Sequence, residues 1–88
     1  MHLIHAQQGE YLVVTVNAAS IDASAALEFK DSMNAIDESN SKILLNLEQV
    51  EFIDSSGLSA IISVMKHMGK GRKMDLCALT QPLKRFFV

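Results

Sequence analysis

The chain has 88 residues, enough for one domain with one modest core. It is 49% hydrophobic and 20% charged, with a formal net charge of -2, the balance of a folded globular chain, and no apolar run approaches the ~20 residues of a membrane span. The single cysteine, Cys77, excludes an internal disulfide, and the N-terminus lacks a basic stretch leading into an apolar core, so no signal peptide is read and a cytoplasmic location is the default expectation.

In chain order, Leu3-Ile4 predicts a short edge strand and Gln7-Gln8-Gly9-Glu10 a turn. Tyr11–Val16 is rich in β-branched residues and reads as a strand. Asn17–Asp22 reads as a connection, and Asp22 or Ser24 can cap a helix whose apolar face is Ala26, Phe29, Met33 and Ile36. Ser39-Asn40-Ser41 ends that helix, and Ile43–Leu47 has the length and branching of a buried central strand. A second helix is expected from about Ser56 to Met68, with Leu58, Ile61, Ile62 and Met65 packed on the sheet and Gly69 and Gly71 marking its end. Met74–Leu79 is a further strand, and Thr80-Gln81-Pro82 opens a last helix with Pro82 in its first turn. Strands alternating with helices in this order predict an α/β fold with helices packed on a sheet, over a single domain spanning residues 1–88. The chain stops in the apolar run Phe86-Phe87-Val88, which is expected to be covered: by chain beyond a cut, by a partner, or by a second copy in self-association.

Charge is unevenly distributed. Before Asp54 the acids Glu10, Asp22, Glu28, Asp31, Asp37, Glu38, Glu48 and Glu51 face only Lys30 and Lys42. After it Lys66, Lys70, Arg72, Lys73, Lys84 and Arg85 face only Asp75. A solvated helix face and ordinary tails account for this, and a polarised surface that steers partners is the sharper alternative. Nucleic-acid binding would need a larger basic excess with aromatics among the cations, so no nucleic-acid partner is expected, nor a membrane.

The most informative stretch is Asn46–Leu58, above all Asp54-Ser55-Ser56-Gly57 between the central strand and the second helix. Asp and Ser accept hydrogen bonds from the free N–H groups of a helix's first turn. A plain helix cap would explain one such residue. Three in a row exceed what one cap position can use, which leaves a spare hydroxyl at the helix end that favours negative charge. A phosphorylatable serine is one use for it.

Catalysis finds little support. A serine nucleophile needs a base, and none of His2, His5 and His67 is placed by sequence to serve Ser55 or Ser56. Ile53 occupies the place of the first glycine of a nucleophile elbow around Ser55. Cys77 and the scattered histidines do not form a metal-ligand pattern, no phosphate-binding glycine loop or dinucleotide fingerprint is present, and Met33, Met65, Met68 and Met74 read as core filling. No cofactor or metal is expected, and the chain is read as a non-enzyme.

The residues Leu45-Asn46-Leu47 followed by Phe52-Ile53-Asp54-Ser55-Ser56-Gly57-Leu58 resemble the signature of the STAS domain, best known from bacterial anti-sigma factor antagonists. The resemblance runs from Ile21-Asp22 to Lys84-Arg85-Phe86-Phe87, with one departure: Ala19-Ser20 stand where the family usually carries Gly-Glu. It implies a STAS-like mixed sheet with helices packed on it, here without the family's final strand and helix. It also implies a phosphorylation-switched regulatory protein of bacterial signal transduction and transcription control. A serine kinase and anti-sigma factor, resembling histidine-kinase ATPase folds, would bind the unmodified form and phosphorylate Ser55, with Ser56 as the alternative acceptor. A PP2C-like phosphatase would reverse the modification. By the same resemblance the partner surface comprises Asp54, Ser55, Ser56, Gly57, Ser59, Ser63 and Lys66; Ser59 and Ser63 read equally well as plain solvent face. Rival readings are a STAS adaptor subunit of a transport complex and a STAS sensor of small molecules.

Overall fold

The computed structural model describes residues 2–69 and 71–78. Eight elements follow in order: β1 (His2–Gln8), β2 (Tyr11–Asn17), β3 (Ser20–Ile21), α1 (Ala23–Asn34), β4 (Lys42–Asn46), β5 (Phe52–Ile53), α2 (Ser55–His67) and β6 (Lys73–Cys77). The helix expected from Thr80-Gln81-Pro82, and the apolar end Phe86-Phe87-Val88 with its expected self-association, lie outside the described residues.

The main sheet has the order β1-β2-β4-β6. β1 runs antiparallel to β2 through a two-residue turn, and β2, β4 and β6 are mutually parallel. Gly9 opens that turn at φ 60, a conformation that glycine adopts without steric cost. β1 is longer than the Leu3-Ile4 strand expected of it, because all seven of its residues find register partners on β2.

Both parallel crossovers step in the same direction along the sheet, so right-handed connections bring α1 and α2 to the same face. Alternation along the strands turns Val14, Val16, Ile43, Leu45 and Met74 towards the helices, where they are buried with Phe29, Met33 and Ile61. The other face carries Tyr11, Val13, Lys42, Leu44, Lys73 and Asp75. There the Tyr11 ring has the Lys42 and Lys73 ammonium groups 5.9 and 5.7 Å from its centroid, and its hydroxyl donates to Asp75 at 3.3 Å.

Two short strands escaped the sequence reading. β3 and β5 pair in parallel as a separate sheet, with Ser20 opposite Phe52 and Ile21 opposite Ile53. β3 lies inside what reads as a plain connection, and neither strand is long enough to show an alternating pattern. Helix α1 buries Ala26, Phe29 and Met33 as expected, with Ile36 buried just beyond its end. It stops at Asn34, short of Ser39, and the Ser39 N–H instead donates to the Asp37 carboxylate at 2.8 Å in a local turn.

The inward face of α2 is a correction. Gly57, Ala60, Ile61 and Val64 are buried, whereas Ile62 and Met65 remain 41% and 40% exposed. Of the expected set, Ile61 is fully buried and Leu58 only partly so. Apolar residues cover more than half of the helix circumference, so their spacing fits two rotations. The smaller side chains turn inward because α2 lies close against β3 and α1.

Candidate functional site

The strand pair β3–β5 places the starts of both helices side by side. Ile21-Asp22 leads into α1 and Ile53-Asp54 into α2, and Ile21 and Ile53 are opposite each other in the pair. Each aspartate is an N-cap with extended backbone. Asp22 accepts from the Ala25 N–H at 3.0 Å and the Ser24 hydroxyl at 2.7 Å. These bonds, the Ser24 one foremost, hold its carboxyl below the usual range. Asp54 accepts from the Gly57 N–H at 2.8 Å, while its backbone carbonyl accepts from the Leu58 N–H at 3.0 Å. The cap of α2 is therefore the aspartate, and both serine hydroxyls are left for other work.

The loop carrying Ala19-Ser20 contributes directly to this arrangement. The Ala19 carbonyl accepts from the N–H groups of Glu51 and Phe52 at 2.8 and 3.2 Å, and the Ile21 carbonyl from that of Asp54 at 3.4 Å. The segment holds its place by backbone bonds, which do not depend on the Gly-Glu pair it lacks.

Ser55 and Ser56 are the first two residues of α2 and both are exposed. Residues four apart stack on the same helix face. Ser55 therefore sits above exposed Ser59, and Ser56 above buried Ala60. Both serines line the same groove between α1 and α2. No acidic residue occupies the first turn of α2 itself, and the one carboxylate at this helix end is the capping Asp54, which uses the Gly57 N–H.

Gly57 corrects the expected partner surface. It is buried, and a Cβ there would run into the Ile21 carbonyl oxygen and lie 2.9 Å from Cγ2 of both Ile21 and Ile53. The position must be glycine for α2 to approach β3, and it offers no side chain to a partner. Among the other expected surface residues, Ser59 and Lys66 are exposed, and Asp54 and Ser63 are half-buried.

Helix α1 completes the site, which the sequence reading missed. A groove of about 530 Å³ between the two helices is lined by Ala23, Ala26, Leu27 and Lys30 of α1 and by Ser55, Ser56, Ser59, Ala60 and Ser63 of α2. The matching pairs Ile21-Asp22 and Ile53-Asp54, each preceding an apolar helical pattern, were the available signal that the helices start together.

His2 and His5 lie on the edge strand β1. His67 is twelve residues beyond Ser55 on the same helix, about 18 Å along its axis, and its Nδ1 is 2.7 Å from the Ser63 carbonyl oxygen. Among the described residues no group of His, Cys, Asp and Glu could hold a metal ion, and no helix is long and apolar enough to cross a membrane. Burial, and secondarily the Glu48 charge, push the Cys77 thiol above its ordinary pKa, which disfavours the reactive thiolate.

Comparison with known proteins agrees with this architecture. The family model described as the STAS domain matches residues 3–88. An anti-sigma factor antagonist from Mycobacterium paratuberculosis superposes with a TM-score of 0.80 at 22% identity, over 96% of this chain and 72% of that one. The anti-sigma factor antagonist SpoIIAA, in its unphosphorylated form, gives 0.73 at 19% identity, over 98% and 81% of the two chains. The Bacillus protein is also similar in its phosphorylated form, at 0.70 and 18% identity over 98% and 80%. The murine anion transporter Slc26a9 contains a similar segment, with a TM-score of 0.75 at 15% identity over 91% of this chain and only 14% of the transporter.

Proposed function

Since this chain belongs to the STAS domain family, we propose that it is a regulatory binding protein of the anti-sigma-antagonist kind, switched by phosphorylation of Ser55, and not an enzyme. The observation that carries the reading is the setting of Ser55. Its hydroxyl is exposed in the first turn of α2, directly after a cap already supplied by Asp54. A phosphate there adds about -1.5 to -2 charge. The helix end accepts that charge by roughly 0.3–1 kcal/mol in exposed geometry, so the domain tolerates the modification. A partner surface closed over the same turn does not, because it must bury the added charge. The switch thus acts on binding and leaves the fold intact.

In this reading the unmodified face, formed by Ser55, Ser56, Ser59, Ser63 and Lys66, binds an anti-sigma factor with serine kinase activity. That kinase modifies Ser55, and a phosphatase restores the hydroxyl. The likeness to SpoIIAA, solved in both phosphorylated and unphosphorylated forms, supports this assignment. The likeness to a segment of Slc26a9 favours a second reading, in which the domain is an adaptor within a transport assembly.

One experiment separates the two. The tagged wild type, Ser55→Ala and Ser55→Asp chains are recovered from the native cell with their partners, and phosphosites are mapped by mass spectrometry. Phosphate on Ser55, a kinase retained by Ser55→Ala and its loss from Ser55→Asp are expected. Phosphate on Ser56 alone moves the acceptor by one residue. No phosphate on either serine, with a transport subunit recovered equally by all three chains, replaces the switch with the adaptor.

A further inference from the structure

The groove beside Ser55 continues along the helices. Two smaller cavities, about 300 and 150 Å³, adjoin the 530 Å³ groove, and all three share Ser63. The 530 and 150 Å³ cavities follow the line between α1 and α2 towards His67, and the 300 Å³ one lies on the outer face of α2, lined by Ser59, Ile62, Ser63, Lys66 and His67. None of the residues lining them is acidic, although acids outnumber bases in the whole chain. The carboxylates at the head of the groove, Asp22 and Asp54, are engaged with their own helix ends. The lining lysines are Lys30, half-buried, and Lys66, exposed, and neither has a carboxylate partner among the described residues. Apolar side chains stand beside them: Leu27 is 65% exposed and Ile62 41%.

Two exposed apolar side chains, Leu27 and Ile62, each with a lysine near it and with Ser59 and Ser63 between them, are complementary to one kind of occupant. We propose that the α1/α2 groove and the adjoining outer face of α2 receive an acidic amphipathic segment of a partner protein, whose apolar side chains cover Leu27 and Ile62 and whose carboxylates meet Lys30 and Lys66. The assignment rests on the function proposed above in taking the outer face of α2 as the docking face, and it adds the partner's chemistry and the contribution of α1. It also explains why a phosphate on Ser55 is effective. The phosphate adds to the negative charge that Asp22 and Asp54 already hold at the groove's head, and like charges brought together in an interface are strongly disfavoured. An anionic membrane is the less suitable occupant, since surface attraction to lipids calls for clusters of about 4–8 basic residues, and the groove is concave.

The test uses the full chain, labelled with nitrogen-15, and two synthetic helical peptides sharing a leucine stripe at i, i+3, i+4 and i+7. One peptide carries glutamate at the flanking positions and the other lysine. The glutamate peptide is expected to bind, with amide shifts concentrated on Leu27, Lys30, Ser59, Ile62 and Lys66. Its affinity should fall about tenfold in the Lys30→Glu/Lys66→Glu double variant and return with arginine at both positions, and it should weaken as salt is raised. Ser55→Asp should weaken it in the same direction. The lysine peptide and phosphatidylserine vesicles should leave the spectrum unchanged. Equal binding of both peptides, no binding of the glutamate peptide, shifts confined to the open sheet face, or a preference for vesicles each overturns the proposal. Phosphosite mapping on Ser55 is independent of this titration, so failure of the groove and failure of the switch give different results.

Discussion

Gly57 shows how a single residue fixes the site. In a helix, replacing glycine with alanine normally gains about 1 kcal/mol. Here the added methyl meets the backbone carbonyl of Ile21, which cannot rotate aside as a flexible side chain would. Overpacking costs roughly 1–3 kcal/mol, so Gly57→Ala should be destabilising, by up to about 2 kcal/mol after the propensity gain is subtracted. Urea unfolding checks the sign: an alanine variant as stable as the wild type would show that α2 can lift from β3 without loss. The same residue separates packing from function, since Gly57 is buried while Ser55 and Ser56, beside it, are exposed.

At the scale of the element, α2 presents two apolar faces with different fates. Ile61 is completely buried, whereas Ile62, the next residue, is 41% exposed. Ile61→Ala should therefore cost about 2–5 kcal/mol. Ile62→Ala should stay near the surface scatter of about 0.5 kcal/mol, and should instead weaken partner binding. Denaturant midpoints of the two variants, measured side by side, test the rotation of the helix. Equal losses would return Ile62 to the core. The exposed apolar residues of α2 are what a docking face requires: they add nothing to the core, yet they offer apolar area to a second surface.

Across the whole molecule, stability should be sensitive to acid. The carboxyls of Asp22, Asp37 and Glu10 are all held below their ordinary values, chiefly by Ser24, by the Ser39 N–H and by Lys42 respectively. A depressed carboxyl contributes stability that is present above its unfolded pKa and lost as pH falls through the folded value. The denaturation midpoint should thus decline between about pH 5 and pH 2. Asp22→Asn should flatten part of that decline, because asparagine still caps α1 but does not titrate. An unchanged acid limb in Asp22→Asn would assign the sensitivity to the other two carboxyls. Since Asp22 begins the helix that forms one wall of the groove, acid should also loosen that wall.

The sequence by itself determined the main strands, the two described helices, and a cluster of cap-competent residues at each helix start; which of them caps, Asp22 and Asp54, was decided by the structure. The strands, helices and clusters rest on local rules: β-branching, helical spacing, and the fit of a carboxylate to free N–H groups. The family was legible for the same reason, since Phe52–Leu58 carries its signature in contiguous residues. Only the tertiary structure decided which apolar face of α2 turns inward, because the spacing fits two rotations and the choice depends on β3 and α1. It also decided that β3 and β5 pair across 32 positions of sequence, from Ile21 to Ile53, and so bring two helix starts together. Strands of two residues have no periodicity to read, and the groove they create belongs to neither helix alone.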